Sequence, residues 1–359
     1  VAKDVGYIRL VDFNETTACR PEEPPSCERD LERALRTLKQ QGATSYVLDI
    51  RDNPGGLLDM AFAVSNLFLR KGQMVVFTKG RQKRDESSYI TESDSPWSET
   101  PLVVLTSRHS ASASEIVAGA IQDHDRGLII GERTFGKGLV QTQFPITSVR
   151  GYGLSLTTAR YYTPSGRSIQ RSYGGDTALE DYQAPKEHGC DVEGTDPRLT
   201  DAGRRVFGGD GITPDVCIEP AKVGTVVARL LSRQAFVNFA RHFESAEVAA
   251  QTSVAGAGSR ANIGNEKVRL IRKDFQVNSA IVGEFMDFLK TEKITLDAAE
   301  LEANRAEIEA EILEETMRQV FGEAEARKRL FSLDNQLQRA IESVPQARLL
   351  LKDPQRYIS

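Results

Sequence analysis

With 359 residues and 40% hydrophobic side chains, the chain is long enough for two globular domains. Its formal net charge of −5, without a stripe of lysine and arginine, argues against nucleic acid as a partner. No apolar run reaches the roughly 18 residues that a membrane-spanning helix needs.

The first part of the chain alternates strand and helix patterns. Gly6 to Phe13 favours a strand, and leucines at i, i+4 and i+7 predict an amphipathic helix over residues 30–41. A buried strand over residues 46–50 ends in the turn 51–56, and an apolar helix follows over residues 57–69. The two glycines of this turn let backbone amides approach a ligand closely.

A second strand–turn–helix unit follows, and then a β-hairpin. The patterns predict strands at 74–79, 102–106 and 127–131, a helix at 112–123, and a hairpin of 139–146 with 152–162. We expect the first domain to close near Asp215.

The composition changes beyond this first domain. We therefore divide the chain into a core over residues 1–220, a helix and linker over residues 221–264, and a helical region over residues 265–359. The predicted helices here include 223–243, 298–321 and 323–343.

The four cysteines form two sequence-local pairs in loop-like sequence, Cys19 with Cys27 and Cys190 with Cys217. None forms a C-x-x-C metal pattern. Two disulfide bonds in an oxidising compartment are the favoured interpretation, and four free thiols in a cytosolic protein are the alternative.

A run of small residues, Ser110–Ser114, leads into the predicted helix at Ser112. A helix N-terminus has backbone N–H groups without intrahelical partners, so a serine hydroxyl there lies beside hydrogen-bond donors. The same segment is typical of a structural cap, because Ser112 and Glu115 match the S-x-x-E capping box. The sequence leaves both hypotheses open, a nucleophile and a helix cap.

Lys137 stands between two glycines, 25 residues after Ser112. One helix and one returning strand fit that interval, so Lys137 is a candidate general base that needs no histidine. A general-base lysine must be desolvated, because the reference pKa of about 10.4 keeps lysine protonated at neutral pH. Gln141 would face the same side of a strand and orient the amine. A turn lysine and an outward-facing glutamine are the alternatives.

An acyl-transfer site also needs donors for the developing oxyanion. The amide of Ala113 is one candidate because it follows the serine directly. An amide of Gly55 or Gly56 is the other, and the sequence does not decide between these glycines.

Other catalytic chemistries have less support. His109 and His124 allow a Ser–His–Asp triad on paper, but the nucleophile elbow G-x-S-x-G is absent. Asp123 fits an ion pair or a turn cap better than catalysis. The sequence has no HExxH, P-loop or dinucleotide motif, so it predicts no metal and no cofactor.

Several long segments, in the same order, resemble the carboxyl-terminal processing proteases, also called tail-specific proteases, a family of serine peptidases with a Ser/Lys dyad. The resemblance runs from about Val5 to Pro220 and rests on residues 6–10, 48–56, 110–123, 131–141 and 211–215. It implies a mixed α/β (α+β) fold with a crotonase- or Clp-protease-like ββα core, followed by a mainly α-helical C-terminal region.

The resemblance also implies roles for individual residues. The nucleophile falls on Ser112, the general base on Lys137 and the lysine-orienting amide on Gln141. The oxyanion donors fall on Ala113 and the turn 53–56. Asp123 matches an aspartate implicated in some members.

Family members usually carry a PDZ domain ahead of the first matching strand, and it captures the substrate's C-terminal tail. This sequence lacks it, so we expect a missing upstream part, which allows membrane association, and a periplasmic or other extracytoplasmic bacterial location. The expected partners are proteins or peptides with accessible C-terminal tails, and a homo-oligomer through the C-terminal helices. A non-catalytic scaffold of this fold and a Ser/Lys amidase or esterase are the alternative functions.

Overall fold

The computed structural model describes residues 4–14, 27–146, 151–171, 196–245 and 269–358. The chain divides into two compact units, residues 1–220 with 336–359 and residues 221–335. The first unit mixes sheets and helices and the second is mainly helical, which confirms the predicted fold class. The predicted helical region 265–359 is thus split, because its last helices belong to the first unit.

A five-stranded parallel sheet forms the centre of the first unit. Its strands, in spatial order, are β1 (Val5–Arg9), β2 (Ser45–Asp49), β5 (Leu102–Thr106), β6 (Leu128–Gly131) and β11 (Val216–Cys217). Both β2 and β5 are buried along their whole length, as expected for strands covered on both faces. The helices that follow β1, β2 and β5 are α1 (Cys27–Gln40), α2 (Leu58–Asn66) and α3 (Ala113–Asp123).

A four-stranded antiparallel sheet is the second layer of strands. In spatial order it consists of β4 (Ser87–Ile90), β3 (Met74–Gly80), β8 (Gly153–Tyr162) and β7 (Leu139–Pro145). The pairing of β7 with β8 is the predicted hairpin. A smaller antiparallel pair, β9 (Asp196–Leu199) with β10 (Arg205–Gly208), also belongs to this unit.

Within the described residues, the second unit contains six helices and a short parallel strand pair. The helices are α4 (Thr225–Ser232), α5 (Ala235–Ala240), α6 (Ser279–Thr291), α7 (Ala298–Ala303), α8 (Arg305–Phe321) and α9 (Glu323–Leu330), and the strands are β12 (Phe243–Ser245) and β13 (Arg269–Ile271). Stacked phenylalanines form its core, with Phe236 and Phe285 ring centroids 5.2 Å apart.

Two of the predicted long helices are interrupted in this unit. The helix predicted over residues 223–243 breaks at Gln234, whose φ of 56° lies in the left-handed region. The helix predicted over residues 298–321 breaks at Asn304, which ends α7 and precedes α8. Apolar periodicity continues across both breaks, so it could not reveal them. Most of the predicted linker up to residue 264 lies outside the described residues.

The chain returns to the first unit through three more helices. These are α10 (Asn335–Glu342), α11 (Val344–Lys352) and α12 (Pro354–Ile358). The buried Gln336 links α10 to two strand ends, because it accepts from Arg51 Nη1 at 2.9 Å and donates to the Ile218 carbonyl at 2.7 Å. Within the described ranges, no helix has the length and hydropathy of a membrane span.

One of the two predicted disulfide bonds is absent from the structure, because one of its cysteines is free. Cys27 is a free, buried thiol, which corrects the predicted Cys19–Cys27 disulfide bond. Burial, followed by the charge of Asp12, raises the pKa of this thiol to about 11. Cys217 is disulfide-bonded, while Cys19 and Cys190 lie outside the described residues.

Candidate active site

Ser112 directly precedes α3 and has an unusual backbone conformation. Its φ is 56° and its ψ is −111°, a region that residues other than glycine rarely adopt. The residue is only 7% exposed. Strain of this kind persists where the surrounding contacts hold it, and it concentrates at functional sites. The backbone therefore favours the nucleophile hypothesis.

The turn after β2 packs closely against Ser112. A Cβ added to Gly55, whose φ is 101°, would lie 2.6 Å from the Ala111 carbonyl oxygen and 2.8 Å from Ser112 Cβ. The Asn53 carbonyl oxygen joins the two segments, because it accepts from Ala111 N at 3.0 Å and from Ser114 Oγ at 2.9 Å. Only glycine at position 55 leaves room beside the serine.

The buried carboxylate of Glu115 joins the serine segment to the lysine segment. Its Oε2 accepts from the backbone N–H of Ser112 at 2.9 Å and of Lys137 at 2.8 Å. Two hydrogen bonds to one atom place those nitrogens within about 6 Å of each other. Its Oε1 accepts from Gly136 N at 2.7 Å and from Thr134 Oγ1 at 2.6 Å. One side chain thus fixes both candidate segments.

Glu115 also bears on the capping hypothesis. Complete burial raises the pKa of its carboxyl group, and the four hydrogen bonds that it accepts oppose this shift. The bond from Ser112 N is the carboxylate half of a capping box. The Glu115 N–H itself donates to the Ser112 carbonyl oxygen at 2.9 Å. The Ser112 side chain also faces this N–H as the other half of the capping box, so the cap and the nucleophile hypotheses are compatible.

Lys137 lies in the turn between β6 and β7 and is half-buried. The Phe135 N–H donates to the Ser110 carbonyl oxygen at 3.0 Å, so the lysine segment runs beside the small-residue run. The main chains of the two candidate residues are therefore neighbours. Proton transfer between their side chains stays a prediction.

Gln141 lies opposite a β-bulge in β8, and its side chain contacts that strand. The register of β7 with β8 shifts between Val140 and Gln141. The Gln141 amide donates to Thr157 Oγ1 at 2.8 Å and accepts from Ser155 Oγ at 3.4 Å. Val140 pairs with Ala159 and Gln141 with Thr157, so the extra residue of the bulge is Thr158 of β8, and the alternation along β7 itself is unbroken. Its role toward the lysine stays a prediction.

Asp123 lies at the opposite end of α3 from Ser112. A helix rises about 1.5 Å per residue, so roughly 16 Å separates the two residues. The fully buried Arg167 donates to Asp123 Oδ1 at 2.7 Å, and Ser165 N donates to Oδ2 at 2.9 Å. This position favours a structural ion pair over the catalytic role that the resemblance implied.

The two candidate oxyanion glycines differ in their present hydrogen bonds. The Gly55 N–H already donates to Asn53 Oδ1 at 2.9 Å. The parallel bridge between Phe13 and Gly56 uses the main-chain groups on either side of Gly56. The amide of Ala113 lies beside this turn, 2.9 Å from where a Gly55 Cβ would be. Existing bonds therefore favour Gly56 over Gly55 as the second donor.

The histidines have partners of their own. His109 Nδ1 lies 3.3 Å from Asp52 Oδ1, and the ring nitrogens of His124 lie 2.7 Å from Asp201 Oδ2 and 2.7 Å from the Met74 carbonyl oxygen. These contacts give no support to a Ser–His–Asp triad. No group of metal-binding side chains occurs in the described part of the chain.

A buried ion pair supports the glycine turn, and the sequence analysis missed it. Arg51 donates to both carboxylate oxygens of Asp49, at 3.0 and 2.7 Å, and the Tyr7 hydroxyl donates to Oδ2 at 2.7 Å. Burial acts to raise the Asp49 pKa, but the Arg51 and Tyr7 interactions outweigh it and lower the pKa. The sequence could have indicated this ion pair, because Asp49 is a carboxylate inside an apolar strand and a buried charge needs a partner.

Comparison with known proteins is consistent with this site. Residues 4–182 match the model of peptidase family S41. The carboxy-terminal-processing protease of Bartonella bacilliformis is 47% identical over 170 residues, which are 47% of this chain and 37% of that protein. The chloroplastic C-terminal processing peptidase of Tetradesmus obliquus is 39% identical over 208 residues, or 57% of this chain and 41% of that protein.

Solved structures are similar as well, and one of them is described here. A photosystem II D1 C-terminal processing protease aligns with 33% sequence identity and a TM-score of 0.42, over 60% of this chain and 42% of that chain. The chain spans less than half the length of the curated relatives named above.

Proposed function

The chain belongs to peptidase family S41 through residues 4–182, and we therefore propose that it is a serine endopeptidase that cleaves protein substrates near their C-termini. Ser112 is the proposed nucleophile and Lys137 the proposed general base. The observation that carries the proposal is the Glu115 carboxylate, which binds the backbone N–H groups of both residues through one oxygen.

The proposed reaction proceeds through an acyl-enzyme. The neutral Lys137 amine takes the proton of Ser112 Oγ while the oxygen bonds to the scissile carbonyl carbon. The oxyanion accepts hydrogen bonds from the amides of Ala113 and Gly56. The C–N bond then breaks, and the Lys137 ammonium returns its proton to the leaving amine. Water attacks the ester by the same proton transfers and releases Ser112.

The proposed substrates are proteins with accessible C-terminal tails, because the curated relatives are named for C-terminal processing. We propose an extracytoplasmic location, since the disulfide bond at Cys217 requires an oxidising compartment to persist. Homo-oligomer formation through the C-terminal helices is a further prediction, to be checked by sedimentation.

The experiment is cleavage of an unfolded reporter protein with a nonpolar C-terminal tail, with the products identified by mass spectrometry. We expect Ser112→Ala and Lys137→Ala each to lower kcat by about a thousandfold or more. Ser88→Ala and Lys83→Ala remove exposed side chains of the same types and serve as controls. If both Ser112→Ala and Lys137→Ala retain the parental rate, the assignment is wrong.

The same variants separate the alternative functions. A helix-cap serine in a binding scaffold predicts no turnover in the parent and a loss of about 0.5–2 kcal/mol of stability in Ser112→Ala. An amidase or esterase predicts that the parent hydrolyses small amides or esters and leaves the reporter protein intact.

A further inference from the structure

The segment Ile169–Arg171 lies against the turn that carries Lys137. A Cβ added to Gly138 would lie 2.8 Å from Gln170 N, and one added to Gly136 would lie 2.9 Å from Arg171 Cβ. The glycines on both sides of the lysine therefore allow a close approach of this segment. No feature of the sequence had marked these three residues.

Gln170 is 9% exposed, and both ends of its amide are engaged at this contact. Its Oε1 accepts from the Gly138 N–H at 2.9 Å, and its Nε2 donates to the Arg171 carbonyl oxygen at 2.8 Å. The Arg171 N–H in turn donates to the Gly136 carbonyl oxygen at 3.0 Å. The glutamine thus ties the two sides of the lysine turn together.

Two side chains accept the hydrogen bonds that the backbone N–H groups of the lysine turn donate. Glu115 accepts from Gly136 and Lys137, as described above, and Gln170 accepts from Gly138. Gly136 has a φ of 86°, and glycines are conformationally permissive, so the turn depends on these bonds for its shape. Gln170 supplies the bond on the C-terminal side of Lys137.

The segment that holds Gln170 is itself fixed. The Gly211 N–H donates to the Ile169 carbonyl oxygen at 2.9 Å. The Arg171 guanidinium lies 4.0 Å from the centroid of the Phe135 ring, a cation–π contact. Gln170 therefore bonds to the lysine turn from an anchored segment.

We propose that Gln170 is a positioning residue that holds Lys137 at the distance from Ser112 that proton transfer requires; this inference rests on the proposed function. Removal of the Gln170 amide frees Gly138 N and the C-terminal side of the turn. A displacement of the reacting groups by about 1 Å can cost about 100-fold in rate. We expect kcat to fall by about that factor and KM to stay within about twofold.

The test compares Gln170→Met, which keeps the length of the side chain and loses its hydrogen bonds, with Gln143→Met at an exposed glutamine of β7. Kinetics are measured on the reporter protein. Independently of activity, lysines are ¹³C-methylated and observed by NMR, and the Lys137 signal is identified by its loss in Lys137→Arg. We expect Gln170→Met to shift or broaden that signal and Gln143→Met to leave it unchanged.

An unchanged Lys137 signal in Gln170→Met, or an unchanged kcat in an active parent, overturns the positioning role. If Gln170→Met changes the Lys137 signal but the parent shows no turnover, the result supports the positioning of Lys137 and rejects the proposed function instead. Gln170→Ala is the second variant if the methionine variant does not fold. If neither variant folds, Gln170 is structural and the proposal is wrong.

Discussion

At the scale of single residues, Glu115 connects two parts of the site that are separate in sequence. Each of its carboxylate oxygens accepts two hydrogen bonds, from Ser112 and Lys137 at Oε2 and from Gly136 and Thr134 at Oε1. A carboxylate suits this position because it is an acceptor only, whereas an amide has one oxygen and one NH₂ group. The capping-box motif accounts for one of these four bonds.

We predict that Glu115→Gln lowers both stability and kcat. In either orientation of the amide, its NH₂ group faces two of the four donors, and a buried donor without a partner costs about 1–3 kcal/mol. Urea unfolding of the first unit, followed by the fluorescence of Trp97, measures the loss. Glu86→Gln, at an exposed glutamate, is the control. Equal stability of Glu115→Gln and the control would contradict the bridging role.

At the scale of elements, the sequence predicted the strands, helices and hairpin that carry the site, because their periodicity is local. It did not predict the bulge at Thr158 of β8, opposite Val140 and Gln141, since one extra residue leaves the hydrophobic pattern of a strand almost unchanged. The contact of Gln170 with Gly138 could not be predicted either, because it joins segments about 30 residues apart and depends on tertiary packing.

The return of α10 to the first unit gives a prediction at the same scale. Gln336→Ala should lower the stability of the first unit by about 0.5–1.5 kcal/mol, because the half-buried Ile218 carbonyl loses its Gln336 donor. It should also lower kcat, because Gln336 contacts Arg51 next to the glycine turn. Trp97 fluorescence and the reporter assay measure these effects. Gln346→Ala, at an exposed glutamine of α11, should change neither; equal effects of the two variants would refute the role of Gln336.

At the scale of the whole molecule, the two units differ in the surroundings of their buried and half-buried charged side chains. The first unit buries several charges in pairs, such as Asp49 with Arg51 and Asp123 with Arg167. In the second unit, burial and then the charge of Glu314 raise the pKa of the half-buried Glu311 to about 7, against the opposing charge of Arg318. A raised carboxyl pKa favours the protonated folded state.

The second unit should therefore lose stability as the pH rises. The contribution of Glu311 is complete below its unfolded-state pKa of 4.5 and is lost as the pH passes its folded-state pKa of about 7. Thermal unfolding monitored by far-UV circular dichroism between these pH values measures the loss. Glu311→Gln should flatten this dependence, and Glu292→Gln, at an exposed glutamate, should retain it. An unchanged pH dependence in Glu311→Gln would contradict the assignment.

The division of the chain also sets the order in which a ribosome can complete its parts. Residues 336–358 pack with the first unit but are synthesised after the whole of residues 221–335. The hydrogen bond between Gln336 and Arg51 consequently cannot form in the nascent first unit until the second unit has been translated. A helical unit of this kind can fold while the first unit is still incomplete. Translation itself thus delays the final packing around the glycine turn until residue 336 has been made.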